Sequence, residues 1–220
     1  MARNIRADKQ RKDKQGVEMT EQEVLEVFKQ TGALLEGHFE LRSKLHSNRY
    51  FQCANVLRHP RVAGRLCDAL AAKMLAECAP GKIDGVVSPA VGGILVGHEI
   101  ARALDVQCIF AEKQDIPGEF DAAGKPVTKL VMRRFSINPG ERYVVAEDVV
   151  TRGGRVQETI ELVRAAGAEV AAVCVLVDRS GGKASFDCPW TSLMKMDPVV
   201  WEPAECPLCK AGGRPVHPGS

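Results

Sequence analysis

The chain has 220 residues, 45% hydrophobic and 26% charged, with a formal net charge of +2. That length suits one domain, or one domain with a small appendage, and can bury a substantial core. The near balance of charge argues against nucleic acid as the main partner, and apolar runs such as 170–177 are too short to cross a bilayer.

Residues 1–15 are mostly charged and polar and lack a signal-peptide core, so a cytoplasmic location is expected. Within the leader 1–16, Arg3, Arg6, Lys9, Arg11, Lys12 and Lys14 are interrupted by Asp8 and Asp13, which reads as a disordered arm. Thr20 with Glu23 forms a capping-box pattern, and Val24, Leu25, Val27 and Phe28 follow, predicting a helix over 20–30. Residues 38–42 alternate like a strand, with 50–53 as the hairpin partner. Pro60 opens a long amphipathic helix to about residue 79, carrying Val62, Leu66, Ala69, Leu70 and Met74 at helical spacing.

After Pro80-Gly81, short apolar runs alternate with helical segments. Strands are expected at 84–88, 107–112, 143–147 and 171–177, and helices at 92–104 and 155–166, with Gly167 closing the second. This alternation predicts a parallel sheet covered on both faces, with ligands beyond the C-terminal strand ends. The turns at 88–93, from 112 onward, at 147–155 and at 178–182 all fall at that edge.

Residues 143–155 carry the most chemistry. A β-branched run ends in Glu147 and Asp148, and Thr151, Arg152, Gly153, Gly154 and Arg155 turn the chain into a helix. Backbone N–H groups at such a helix start converge on an anion, and glycine lets the backbone come close. The carboxylates would repel a phosphate but suit ribose hydroxyls or a magnesium ion, so a phosphorylated sugar fits both halves. A second turn, Pro89-Ala90-Val91-Gly92-Gly93, follows Asp84-Gly-Val-Val-Ser88 and either cradles another anion or packs helix tightly on strand.

Of the eight cysteines, Cys53, Cys67, Cys78, Cys108 and Cys174 sit among apolar residues and read as reduced core thiols. Cys206-Pro-Leu-Cys209, with Cys188 upstream and His217 downstream, offers four zinc donors. The irregular spacing favours a solvent-exposed tail knuckle without metal.

The 143–155 run resembles the 5-phosphoribosyl-1-pyrophosphate (PRPP) signature of the type I phosphoribosyltransferases, with Glu147 where Asp is usual and Arg152 where a small residue is common. The resemblance covers about residues 33–182. It implies an α/β fold, a mostly parallel central sheet flanked by helices with an N-terminal hairpin hood. The division expected is a 1–16 leader, a 17–200 phosphoribosyltransferase domain and a 201–220 tail with the C-x-x-C pair. It also implies that Glu147 and Asp148 hold the ribose. Thr151, Arg152, Gly153, Gly154 and Arg155 take the 5′-phosphate, Val149 and Val150 line PRPP beside them, and Ala90, Val91, Gly92 and Gly93 take the pyrophosphate.

Within that superfamily, Phe39-Glu-Leu-Arg-Ser-Lys-Leu-His-Ser-Asn-Arg-Tyr-Phe51 resembles the N-terminal hairpin of orotate phosphoribosyltransferases, with Arg42 where Lys is usual. Asp178-Arg179 matches that family's Asp-Arg pair. By that likeness Arg42 lies by PRPP, Tyr50 or Phe51 borders the base, Arg179 grips the orotate carboxylate as a guanidinium fork can, and Thr151 faces orotate from the other side. Lys113 corresponds to a catalytic-loop lysine beside the acid pair. The usual Lys-x-x-Lys-x-His pattern is missing, with Arg133 and Arg134 as possible cationic substitutes, and a plain surface hairpin is the competing reading of 114–128. The family implies Mg²⁺ held mainly by PRPP, a homodimer, and no nucleic-acid or membrane partner. The alternatives are a purine phosphoribosyltransferase, in which Arg179 would be idle, and a PRPP-sensing regulator that binds nucleic acid through the basic leader.

Overall fold

Thr20 caps the first helix. Its hydroxyl accepts from Glu23 N–H at 3.2 Å while the Glu23 carboxylate accepts from Thr20 N–H at 2.8 Å, so α1 (Glu21–Gln30) begins where the capping box predicts. A computed structural model describes residues 18–41, 43–196 and 199–217; the leader and Arg42 lie outside the described residues. Val24 and Phe28, one turn apart, are the buried stripe of α1.

The hairpin follows as β1 (Leu34–Glu40) and β2 (His46–Phe51), antiparallel, with a register irregularity between Glu36 and Phe39. It starts four residues earlier on each strand than alternation predicts and stops before Leu41. The polar run His46-Ser-Asn-Arg gives no period-two signal, yet His46 and Ser47 are buried because a C-terminal strand covers them. A short α2 (Ala54–Leu57) leads to α3 (Pro60–Cys78), whose first residue is the proline that marks it in the sequence.

The central sheet comprises β3 (Gly85–Pro89), β4 (Gln107–Phe120), β5 (Pro126–Val131), β6 (Arg142–Val150), β7 (Glu169–Asp178) and β8 (Trp190–Lys195) in the order β5-β4-β3-β6-β7-β8. All neighbours are parallel except β4 and β5. Between strands lie α4 (Gly93–Leu104) and α5 (Gly154–Ala165), and Gly167 just past α5 takes φ +78°. Both faces are covered, which is why the strands read as unbroken apolar runs. Val144 and Ala146 of β6 join Val96 and Ile100 of α4 in one core, while Tyr143 and Val145 join Val156, Ile160 and Val163 of α5 in the other.

The position of the site follows from this winding. Helices α4 and α5 leave the adjacent strands β3 and β6 toward opposite faces, so a crevice opens beyond the C-terminal ends of these two strands. Helix α4 sits close to the sheet because Gly97 has no side chain: a Cβ there would lie 2.6 Å from Ser88 Oγ and 2.9 Å from Ser88 Cβ. Gly97→Ala gains helix propensity of roughly 1 kcal/mol but overpacks by about 1–3 kcal/mol. A lower urea midpoint with an unchanged slope is the expected result.

Strands β8 and β9 (Val200–Trp201) and helix α6 (Pro207–Lys210) are absent from the sequence reading. In β8 the inward residues include Thr191 and Ser192, polar types that hide the strand. Two-residue β9 completes the sheet β1-β2-β9, pairing Trp201 with His46 and Val200 with Ser47. Among the described residues, no helix is long and apolar enough to cross a membrane.

Candidate active site

The crevice between β3 and β6 is a cleft of about 680 Å³. Its walls are two glycine turns. Pro89, Ala90, Val91 and Gly92 form one, and the stretch from Glu147 through Val149, Val150, Thr151, Arg152, Gly153 and Gly154 to Arg155 forms the other. The Ala90–Val91 peptide is cis. Gly153 has φ +79°, a left-handed backbone that favours glycine, and places the N-terminus of α5 at the cleft wall.

The acid pair lies where the two turns touch. A Cβ on Gly92 would be 3.1 Å from Asp148 Oδ2, and one on Gly93 would be 3.0 Å from Glu147 Oε1 and 3.2 Å from Ala146 O. Glycine at both positions lets the first turn close onto the carboxylates. Glu147 is buried, and its Oε1 accepts from Asp148 N–H at 3.1 Å. Burial, reinforced by the Asp148 charge, raises Glu147 well above its ordinary value of 4.5. Burial also raises Asp148, while the hydrogen bond from Glu147 opposes the rise. Glu147 therefore carries the proton of the pair more readily.

Arg155 does not point freely at an anion. Its Nη1 pairs with Glu158 Oε2 at 2.6 Å and its Nη2 donates to Thr128 Oγ1 at 3.1 Å. Glu158 Oε1 accepts from Leu130 N–H, so α5 is tied to β5. Thr128 and Glu158 line the cleft, yet the sequence reading passes over both. Neither lies in a motif, and the antiparallel return of β5 brings Thr128 in.

The region 113–134 is a hairpin arm, with β4 continuing to Phe120 and turning through Gly124 into β5. Lys113, opposite Leu130, lines the cleft. Arg134 is instead paired with Glu112 at 3.1 Å, and Arg133 is exposed outside the cleft lining.

The residues expected at the base end also meet. The Arg179 guanidinium lies 4.8 Å from the centroid of the Phe51 ring, and Phe51 packs 6.2 Å from Phe28. Arg179 N–H donates to Val150 O at 2.8 Å, which fastens the end of β7 to the end of β6 ahead of the 151–155 turn. Asp178 is buried and accepts from Ser180 N–H at 2.8 Å, so it shapes the turn that presents Arg179. Burial lowers Arg179 from its ordinary value, and it forms no ion pair among the described residues. Tyr50 stacks on Phe39 instead, with ring centroids 5.8 Å apart. Cys53, unremarked as a site residue in the sequence, places its Sγ 3.9 Å from Asp148 O.

The four donors that spacing offers around Cys206 and Cys209 do not come together, and the exposed tail knuckle is corrected. Cys188 packs against the α5-side core beside Trp190, and His217 Nδ1 contacts Glu40 O at 3.1 Å. Cys206 is buried rather than exposed in a free tail.

The phosphoribosyl transferase domain family matches residues 53–208 of this chain. The orotate phosphoribosyltransferase of Heliobacterium modesticaldum is 48% identical over 202 residues, covering 92% of this chain and 99% of that protein. The orotate phosphoribosyltransferase of Chlorobaculum parvum is 46% identical over 202 residues, covering 92% and 97%. Among solved structures, the orotate phosphoribosyltransferase of Aeropyrum pernix shares the fold, with a TM-score of 0.58 at 24% identity over 78% of this chain and 92% of that one. Adenine phosphoribosyltransferase of Saccharomyces cerevisiae shares it too, with a TM-score of 0.61 at 20% identity over 77% and 99%. With a glycine-walled cleft at the sheet's switch point and full-length relatives of this similarity, the chain belongs to the orotate phosphoribosyltransferases.

Proposed function

We propose that this chain transfers the 5-phosphoribosyl group of PRPP to orotate, giving orotidine 5′-monophosphate and pyrophosphate. The observation that carries this reading is the convergence of two glycine turns on one buried acid pair, with Arg179 and Phe51 stacked beyond it. PRPP bears anionic groups at both ends of one ribose, and two facing turns with a helix start at the cleft wall suit such a ligand.

Breaking the bond at the anomeric carbon leaves positive charge on the ribose and negative charge on the departing pyrophosphate. Glu147 and Asp148 accept hydrogen bonds from the ribose hydroxyls, and the more readily ionised Asp148 sets carboxylate charge beside the developing cation. Residues 151–155 hold the 5′-phosphate through backbone N–H groups at the start of α5, and residues 90–93 hold the pyrophosphate. Lys113 offsets the leaving charge from the arm. Arg179 aligns orotate through its carboxylate, with Phe51 beneath the guanidinium. The reaction then rests on positioning and electrostatics, with no covalent intermediate.

The donor set of the cleft fits a hard divalent cation, since its acids offer oxygen alone. Mg²⁺, held mainly by PRPP with Glu147 and Asp148 as the available protein oxygens, would neutralise the pyrophosphate. We further expect a homodimer in the cytoplasm, acting on small molecules without a nucleic-acid or membrane partner.

The test is orotate absorbance with PRPP and Mg²⁺, beside adenine, hypoxanthine and uracil. Loss of orotate that needs both PRPP and Mg²⁺ is expected, and turnover of a purine in its place would overturn the reading. Lys113→Ala is expected to lower kcat by about 10²-fold, as for one lost charge-stabilising donor, with little change in KM for orotate.

A further inference from the structure

Four side chains outside the cleft meet at one point. His38 of β1, His46 of β2, and Cys206 and Cys209 flanking the start of α6 place their donor atoms within 4.8 Å of one another. The separations are 3.2 Å for His38 Nε2 to His46 Nδ1, 3.4 Å for Cys206 Sγ to His38 Nε2, and 3.3 Å for Cys209 Sγ to His46 Nδ1. Cys209 Sγ lies 3.7 Å from His38 Nε2.

Hydrogen bonding does not account for this arrangement. His38 Nε2 faces three partners at once, and a ring nitrogen has either one hydrogen or one lone pair to offer. A cation at the centre satisfies all four atoms. Tetrahedral zinc, with bonds of about 2.0–2.1 Å to nitrogen and 2.3 Å to sulfur, sets its ligands roughly 3.3 Å apart for N···N and 3.6 Å for N···S. The observed N···N separation lies within about 0.1 Å of the first value, and the N···S separations of 3.3, 3.4 and 3.7 Å span the second. All eight cysteines are free thiols, so neither sulfur is committed to a disulfide.

We propose that His38, His46, Cys206 and Cys209 form a structural Zn²⁺ site that staples the C-terminal segment to the N-terminal hood. Two nitrogens and two thiolates suit zinc, and four protein ligands leave no open position for catalysis. Binding converts two thiols to thiolates and releases two protons, while both imidazoles coordinate as neutral rings. The charge of the two thiolates then cancels that of the ion. The staple acts with short partners, since β9 is two residues long and the Val216 segment meets β1 through one isolated bridge at Phe39 and the His217 contact with Glu40 O. Strand β2 ends in Phe51, so the same metal steadies the strand that carries the ring under Arg179.

The site is tested on full-length protein without an affinity tag, dialysed against Zn²⁺ and then against buffer, with metal measured by mass spectrometry. About one zinc per chain is expected for the wild type, for Cys188→Ser and for His217→Ala, and almost none for the Cys206→Ser/Cys209→Ser double variant. Chelator-stripped wild type given Co²⁺ is expected to show thiolate-to-cobalt charge transfer and tetrahedral visible bands, which the double variant lacks. Metal removal is expected to speed amide exchange in 34–51 while leaving 142–150 unchanged. Wild type that holds no zinc and gives no tetrahedral cobalt spectrum overturns the proposal. So does equal zinc in the double variant, or amide exchange in the hairpin that ignores the metal. None of these readouts depends on the identity of the substrate.

Discussion

Replacing Asp148 by Asn is expected to lower kcat/KM by about 10²–10³-fold, the loss typical of one preorganised electrostatic group. Glu147→Gln is expected to fall in the same range and to make the protein more stable. The two carboxylates share a buried corner, and burial first, then the Asp148 charge, raises Glu147 above 4.5. A folded-state value above the unfolded one means that the native chain holds this proton more tightly than the unfolded chain. Below 4.5 Glu147 is protonated in both states and adds no pH-dependent cost. As pH rises from there through the raised folded value, the native chain must ionise a buried acid, and stability falls. Glutamine removes that penalty. The gain of Glu147→Gln is therefore full only above the raised folded value and disappears as pH falls toward 4.5. A gain of about 1 kcal/mol corresponds to a melting temperature roughly 2–4 °C higher in a chain of this size. Melting curves at several pH values, beside kinetics on the same variants, check both halves. A variant that loses activity and also melts lower would show that the pair is a structural element rather than a strained functional one.

Arg179→Ala is expected to cost about 2–4 kcal/mol in kcat/KM for orotate, roughly 30- to 10³-fold, with PRPP affinity unchanged. The reason is on the surface of the site. Arg179 is partly buried over Phe51, burial works against its charge, and it has no carboxylate partner among the described residues. A guanidinium in that state gains most from a planar carboxylate that takes two of its N–H groups. Arg179→Lys should recover little, because an ammonium cannot make the paired contact. Titrating PRPP calorimetrically with each variant separates the two ends of the cleft. If orotate kinetics survive Arg179→Ala intact, the carboxylate of the base is held elsewhere.

Much of this was written locally in the chain. The Thr20–Glu23 box, Pro60, and the alternation of apolar strands with helices from Gly85 to Asp178 specify α1, α3 and the parallel sheet, because caps, prolines and burial on two faces leave signals within a few residues. The acid pair and both glycine turns are legible for the same reason, since each is a contiguous strand-to-helix corner. Tertiary structure alone decided the rest. Only the order of the strands makes β3 and β6 neighbours, and so turns two separate corners into one cleft. Only the antiparallel return of β5 brings Thr128 to Arg155, and only the pairing of Arg134 with Glu112 removes that cation from the cleft. The metal-ligand set shows the division most sharply. Spacing pointed from Cys206 and Cys209 to Cys188 and His217, the nearest donors along the chain. Folding supplied His38 and His46 instead, because β9 pairs the C-terminal segment with a hairpin far away in sequence, Cys206 and His38 standing 168 residues apart.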